Sequence, residues 1–584
     1  MTYFLRKDKK KKGIYLQMYD RFWDRDLKQA RYRHIQSFGY AEELRSDAIP
    51  DPAAYFQAYV DEQEQTRKSA LSEETRPRIS GRRIEKNAGS FLLASLMDEL
   101  GVREDIDLLS GVRSFQFSIY DMIEQLVCSR VIFPCSKSKT VSSVFPKLYD
   151  CQDISEDQVY DGLEFIGGNY KKYIELFNHC YEKFYRRDYD HLFFDCTNYY
   201  FEIDLPKDDR QKGPSKENRK EPIIGQALLL DGDLVPLAMQ MYPGNESEKP
   251  YIRKIIEEMK QRHKVSGKTV QVADKGLNCA RNIYAAVREA DDGYIFSKSI
   301  HGTGLSAQEK QWILLENGAN RYTDYRDGSG NILYRLKSCV DDFSYSFVEA
   351  GGNGEKHTVS FKVREKRVVS YTPSLAGKQR AEIMKMVDKA SGYKNYKNIT
   401  KDELGDSAKY ITVTPEDKDG KKISPRIELN QKKIDEDLSL AGYNLIVTSE
   451  LDMDPSEIYN TYHCLWKIEE CFRITKSFLE GRPAYLQIRE RIYGHFLICY
   501  LSLFLLRVLE IKCFKNEVSS YDIIEFVRDF RIADKGDGTY INLSSNQKVN
   551  DKIKKATGLA NLDALYLSKN EIDNLFSKTI LIRS

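Results

Sequence analysis

The sequence has no C-x-x-C pair among its eleven scattered cysteines and no histidines at zinc-finger spacing beside them. That excludes a disulfide framework and a structural zinc, and fits a reducing cytoplasm. Net charge is nearly absent: 90 basic against 88 acidic side chains leave +2, so no global field draws the chain to nucleic acid and its basic residues are read locally. The N-terminus is charged from Arg6 onward and lacks the apolar stretch of a signal peptide, so export is not expected. The longest apolar run, Phe496 to Leu506, falls short of the roughly 20 residues a bilayer crossing needs and reads as a buried helix, with no membrane partner. Internal repeats and low-complexity tracts are also missing. What remains, 41% hydrophobic and 30% charged residues over 584 positions, is an ordinary globular composition sufficient for three to five compact units.

The basic residues cluster in three places. Residues 1 to 40 carry eleven Lys or Arg against four Asp. Arg67, Lys68, Arg76, Arg78, Arg82, Arg83 and Lys86 form a second cluster, and Lys207, Arg210, Lys212, Lys216, Arg219 and Lys220 a third. Any one such run is most often a solvated face, and the third, which follows the strand before Asp195 closely, also fits a segment that tracks a DNA backbone.

Hydrophobic periodicity divides the chain. Residues 1–85 alternate around Lys9-Lys10-Lys11-Lys12-Gly13 and then become polar, which predicts a basic antiparallel β unit followed by a linker. Residues 86–190 have helical periodicity and are expected to be a helical DNA-binding domain. From 191 to 300 short apolar strands and helices alternate, with Asp231-Gly232-Asp233 turning a hairpin, which is a mixed α/β order. Residues 301–441, rich in Gly, Lys and Asp, are too long for a loop and predict a β-rich insertion. The α/β pattern resumes over 442–500, and 501–584 is expected to be helical and a candidate for dimerisation.

Three carboxylates stand out. Asp195 ends the strand Leu192-Phe193-Phe194, and Asp274 ends Val270-Gln271-Val272-Ala273, positions where α/β sheets place functional groups. The third lies on a helix opened by Asp454-Pro455 and stopped by Gly481 and Pro483. On it Tyr462, Glu469 and Lys476 recur every seven residues, so a continuous helix puts them on the face that also carries Ile458, Leu465, Phe472 and Leu479. A carboxylate in such a stripe is normally paired or bound to metal, and a coiled-coil seam with polar interruptions gives the same pattern. Two strand-end acids and one helical acid are hard oxygen ligands of the kind that a pair of Mg²⁺ ions uses for in-line phosphoryl displacement.

At these residues the sequence resembles the bacterial insertion-sequence DDE transposases of the branch with a Tyr-x2-Arg-x3-Glu-x6-Lys helix. The matching positions are Tyr462, Leu465, Glu469 and Lys476, with Leu465 standing where the pattern has Arg. Asp195-Cys196-Thr197-Asn198-Tyr199-Tyr200-Phe201-Glu202, Pro243-Gly244-Asn245, Ala273-Asp274-Lys275-Gly276 and Ile468-Glu469-Glu470-Cys471-Phe472-Arg473 add to it. The resemblance covers about residues 190 to 300 and 440 to 500. It implies an RNase H-like core interrupted by a β-rich insertion, cleavage at the ends of a mobile element, and strand transfer into target DNA. It makes Asp195, Asp274 and Glu469 ligands of Mg²⁺, for which Mn²⁺ can substitute. It also makes Tyr462, Arg473 and Lys476 DNA contacts, and Lys212, Lys216, Arg219 and Lys220 are added from the basic loop. The implied partners are double-stranded DNA, as terminal inverted repeats and target, and a second copy of the chain in the DNA complex. The implied location is the bacterial cytoplasm, at the nucleoid. Two other readings stay open: a transposase-derived DNA-binding protein without chemistry, which Leu465 allows, and a hydrolytic nuclease on the same core.

Overall fold

A computed structural model gives the chain as two units, residues 1–83 and 84–584. It describes residues 2–24, 29–74, 85–217, 220–301, 304–350, 355–392, 405–414, 426–482 and 484–577. Arg76, Arg78, Arg82, Arg83, Arg219 and Pro483 lie outside the described residues.

In the first unit β1 (Thr2–Lys10), β2 (Gly13–Asp24) and β3 (Gln29–Tyr40) form an antiparallel sheet in that order. Lys10 pairs with Gly13 across the basic turn, where Gly13 takes φ +121°, a backbone that a side chain would strain. The polar stretch that reads as a linker instead contains a helix, Pro52–Glu74. Its Val60 packs with Leu5, Leu16 and Met18, and apolar residues this sparse make no stripe for periodicity to detect.

The second unit begins with β4 (Glu85–Asn87). Next come β5 (His191–Tyr200), β6 (Ile223–Leu230), β7 (Pro236–Pro243), β8 (Val270–Ala273) and β9 (Gly293–Lys298). β10 (Thr323–Arg326), β11 (Ile332–Ala350), β12 (Lys356–Tyr371), β13 (Ile411–Thr414), β14 (Arg426–Leu429) and β15 (Tyr443–Thr448) follow. β16 (Arg531–Asp534), β17 (Thr539–Asn542) and β18 (Tyr566–Ser568) complete the set.

Nine of these strands make one mixed sheet, ordered β10-β11-β12-β15-β9-β8-β5-β6-β7. β5, β8 and β9 are parallel and the other neighbours antiparallel. The Asp231-Gly232-Asp233 turn joins β6 to β7 as a hairpin, and the helix Tyr251–His263 carries the chain to β8. The architecture is mixed α/β with a large mixed sheet and many helices. Among the described residues, the strands from 301–441 divide between the central sheet and a small sheet of their own. β10, β11 and β12 extend the central sheet through the β12–β15 pairing, while β13 and β14 pair beside the small core of Ile383, Val387 and Tyr410. Nor is the C-terminal region wholly helical, because β16, β17 and β18 join β4 in a four-stranded sheet.

Side-chain alternation along β5 splits the interior in two. Phe193 and Tyr199 face a core shared with Val272, Ile295, Ile458 and Ile468. Leu192, Phe194 and Ala273 face the opposite core with Ile252, Ile255 and Met259. The first core is centred on the helix Arg489–Val508, buried at every residue from Ile492 to Val508. Arg489–Cys513 is long and apolar enough to cross a membrane, but its apolar window is wholly buried inside the protein. Helix Glu156–Gly168 crosses it backbone to backbone, since a Cβ at Gly167 would collide with the Glu490 carbonyl and one at Gly494 with that of Leu163. The helices of 86–190 therefore share their core with the helices after Asp454 and with the C-terminal region instead of standing alone.

Candidate functional site

Parallel pairing places two acids side by side. Phe194 on β5 is in register with Ala273 on β8, so Asp195 and Asp274 are the next residues along the two chains; Asp274 follows the end of β8, but Asp195, expected to end its strand, lies in the middle of β5, which continues to Tyr200 and pairs it with Leu228 of β6. Asp195 shares its side of β5 with Phe193 and Tyr199, the face on which the helices after Asp454 pack. The Cys196 amide donates to Asp195 Oδ1 at 2.7 Å. Burial nonetheless pushes the Asp195 carboxyl up to about 6, and the charges of Glu248 and Asp274 add to the rise while Lys216 opposes it.

The helical segment begins as its sequence dictates: Asp454 accepts from the Ser456 amide at 2.7 Å with Pro455 at the first helical position. The continuous helix expected after it is corrected by the structure. Helix Pro455–His463 ends, a tight turn through Cys464 and Leu465 follows, helix Trp466–Arg473 begins, and a π turn Ile474–Phe478 closes the segment. The break leaves the apolar heptad in place but not the polar positions beside it. Ile458, Leu465, Phe472 and Leu479 remain buried, but Glu469 is exposed and its neighbour Glu470 is the buried acid. Glu470 lies 2.9 Å from Lys467 and 3.4 Å from the fully buried Arg507, which also reaches Glu510 at 2.7 Å.

Tyr462 is half-buried, and its hydroxyl donates to Asp274 Oδ1 at 3.0 Å. Burial, then Asp274, raises the Tyr462 hydroxyl above its ordinary range, and Glu469 is close enough to add to that rise. The Tyr462 hydroxyl is thus the contact that ties the helical segment to the strand acids. Lys476 turns to Glu217, 3.2 Å away, with its ammonium 5.5 Å from the centre of the Tyr199 ring. Burial holds Lys476 below the usual lysine range against the pull of Glu217. Arg482 also pairs with Glu217.

The basic loop divides. Lys212, Lys220 and, from the helix, Arg473 are exposed. Arg210 is buried and spends its guanidinium on the Leu486 and Gln487 carbonyls at 3.3 and 3.0 Å. Lys216 turns inward, with its ammonium 3.6 Å from Asp195 Oδ1, 3.3 Å from Glu248 Oε2 and bonded to the Cys196 carbonyl. Burial opposes this charge, yet Asp195 and Glu248 hold Lys216 above the ordinary lysine range.

Sequence reasoning missed Glu217 and Glu248. The available signal was weak: Glu248 follows Pro243-Gly244-Asn245 by three residues, and Glu217 sits among lysines where a lone acid reads as solvated. Among the described residues no three His, Cys, Asp or Glu side chains converge on a common point. The donor set still fits a divalent ion, because it is made of carboxylate and carbonyl oxygens that already surround a cation, the Lys216 ammonium.

The class these features define is an acidic site on two neighbouring parallel strands of a mixed sheet, faced by helices. The transposase DDE domain family matches residues 187–505, more than half of the chain, and the chain belongs to that family. No curated protein sequence matches the chain. Among solved structures, it is similar to a piggyBac transposase in a cryo-EM structure of a synaptic complex with hairpin DNA. The identity is 11% and the TM-score 0.35, over 86% of this chain and 87% of that one, a likeness too low to carry an argument.

Proposed function

We propose that the protein is a transposase that cleaves DNA at the ends of an insertion sequence and joins them to target DNA with Mg²⁺. The observation that carries this reading is the adjacency of Asp195 and Asp274 on parallel strands, with Tyr462 of the helical segment bonded to the second. Asp195, Asp274 and Glu469 would hold the metal, a divalent ion being usual in this family. Bound there, such ions lower the barrier by activating the attacking hydroxyl and neutralising the leaving oxygen.

The chain's own residues do the rest. The Cys196 amide fixes one Asp195 oxygen, and Tyr462 fixes one Asp274 oxygen, so neither carboxylate pays the full entropy of ordering when it is engaged. Lys476, released from Glu217, offsets charge on the phosphoryl oxygens. Arg473, Lys212 and Lys220, all exposed, and Lys216 contact the DNA backbone. Arg219 joins them in this reading, as does a second copy of the chain in the DNA complex, in the bacterial cytoplasm.

The test is an end-cleavage and strand-transfer assay with the element's terminal DNA, run with Mg²⁺ and with chelator. Joined products that require Mg²⁺ and vanish in Asp195→Ala, Asp274→Ala and Glu469→Gln support the reading. Mg²⁺-dependent nicking without joining would make it a hydrolytic nuclease. Binding without cleavage would make it a DNA-binding protein.

A further inference from the structure

Among the described residues of the basic loop, Lys216 is the one whose ammonium reaches both a strand acid, Asp195, and a carboxylate outside the motif, Glu248. Glu248 itself lies between Lys216 and the turn after Asp274. One oxygen faces Lys216 beside Asp195, and the other lies so close to Gly276, in the turn after Asp274, that a Cβ there would stand 3.0 Å from it. Glu248 thus adds negative charge to a place already crowded with it, and its repulsion of Asp195 ranks ahead of that of Asp274. Without a cation these carboxylates would destabilise one another.

We infer that Lys216 is an internal counter-cation, drawn in by Glu248, that occupies the cation seat beside Asp195 and must withdraw before a divalent ion binds there. Lys216 and the metal then compete for the same oxygens, and Glu248 sets how strongly the lysine holds. The competition links the basic loop to the ion: entry of the metal releases a lysine next to Lys212 and Lys220, where a DNA phosphate is its natural new partner. Room exists for the withdrawal, because Lys216 lines a cleft of about 510 Å³ that Pro214, Tyr242 and Asn245 also border. The side chain is partly exposed, at 42%, so its exit needs no unfolding. The inference rests on the metal-holding role proposed for Asp195.

Competition has a signature that a structural salt bridge lacks. Removing a structural lysine would weaken the site, whereas removing a competitor strengthens metal binding while it weakens the empty protein. Mn²⁺ titrated calorimetrically into the full-length, DNA-free protein should bind about tenfold more tightly to Lys216→Met than to the native chain, the size expected for one partly screened charge. The ion-free thermal midpoint of Lys216→Met should fall, and its rise on saturation with Mn²⁺ should exceed the native rise. Lys216→Gln serves as a second variant should Met misfold. Adding Glu248→Gln to Lys216→Met should restore the ion-free midpoint. Unchanged or weaker Mn²⁺ affinity in both Lys216 variants would overturn the inference. If instead the native protein shows no saturable Mn²⁺ binding sensitive to Asp195→Ala, the metal-site reading itself fails, and the inference with it.

Discussion

The Tyr462 hydroxyl donates to Asp274 Oδ1 at 3.0 Å across 188 residues of sequence, tying the end of helix Pro455–His463 to the end of β8. A phenol on a carboxylate is a charge-assisted bond, and this one holds an otherwise exposed Asp274 in a single orientation. Tyr462→Phe removes the bond and keeps the ring. The expected result is a loss of DNA end cleavage of about tenfold, with stability lowered by only about 1 kcal/mol because Asp274 regains water. Cleavage kinetics beside thermal melting check it, and cleavage at the native rate would show that Tyr462 does not position Asp274.

Asp195 gives a stability that depends on pH in an unusual sense. Its folded carboxyl titrates at about 6, above the 3.8 of a free aspartate, so it binds its proton more tightly folded than unfolded. Stability from this group is therefore fully present below about pH 4 and lost as pH rises through 6. Asp195→Asn should make the ion-free protein more stable than native at pH 7.5 by about 1–3 kcal/mol, with the gain fading toward pH 4. Denaturant melts at the two pH values provide the measurement, and the same variant should be inactive in cleavage. Equal gains at both pH values would deny that ionised Asp195 is the source of the strain.

The parts of this site that were readable in the sequence are those set by local rules. The run Val270-Gln271-Val272-Ala273 marked Asp274 as the residue after a strand, and Asp454-Pro455 announced a helix start that the structure reproduces, whereas Asp195 read as a strand end although β5 runs on through it to Tyr200. The hairpin at Asp231-Gly232-Asp233 was legible for the same reason. The turn at Cys464 and Leu465 was not, because neither residue is a helix breaker and tertiary packing bends the chain there. Glu469 therefore reads as a buried stripe residue while Glu470 is the one that packs. Partners distant in sequence were invisible too: Lys476 meets Glu217 across 259 residues. A charge run hides its members' fates, since Arg210 is buried and Lys216 faces carboxylates within the same basic loop.

Helix Trp466–Arg473 is held against helix Arg489–Val508 by charge, as well as by apolar contact. Fully buried Arg507 serves Glu510 at 2.7 Å and Glu470 at 3.4 Å, and Lys467 reaches the same two acids at 3.3 and 2.9 Å. Removing one member leaves buried carboxylates short of countercharge, which costs about 3–5 kcal/mol. Arg507→Met should lower the unfolding free energy read from urea melts by that amount, and Arg507→Met with Glu510→Gln should recover part of it. A single variant within 1 kcal/mol of native, measured to about that precision, would show that Lys467 alone suffices.

Lys476 separates a chemical role from a structural one most sharply. Its ammonium is paired with Glu217 at 3.2 Å, and Arg482 shares that carboxylate, so the pair has a spare cation. Burial disfavours the Lys476 charge, which means the fold gains little from it and Lys476→Met, keeping the apolar stem over Tyr199, should melt close to the native temperature. If the ammonium is destined for phosphoryl oxygens, the same variant should cleave element ends about 100-fold more slowly, the scale of losing one fixed positive donor in a water-poor site. Glu217→Gln provides the complement: freeing Lys476 from its holder should leave cleavage intact or faster and should tighten DNA-end binding, because the lysine no longer leaves a carboxylate to reach a phosphate. Both readouts come from one gel assay run beside a melting curve. A clear fall in melting temperature with native cleavage in Lys476→Met, and slower cleavage in Glu217→Gln, would make the pair a structural clasp and remove Lys476 from the chemistry.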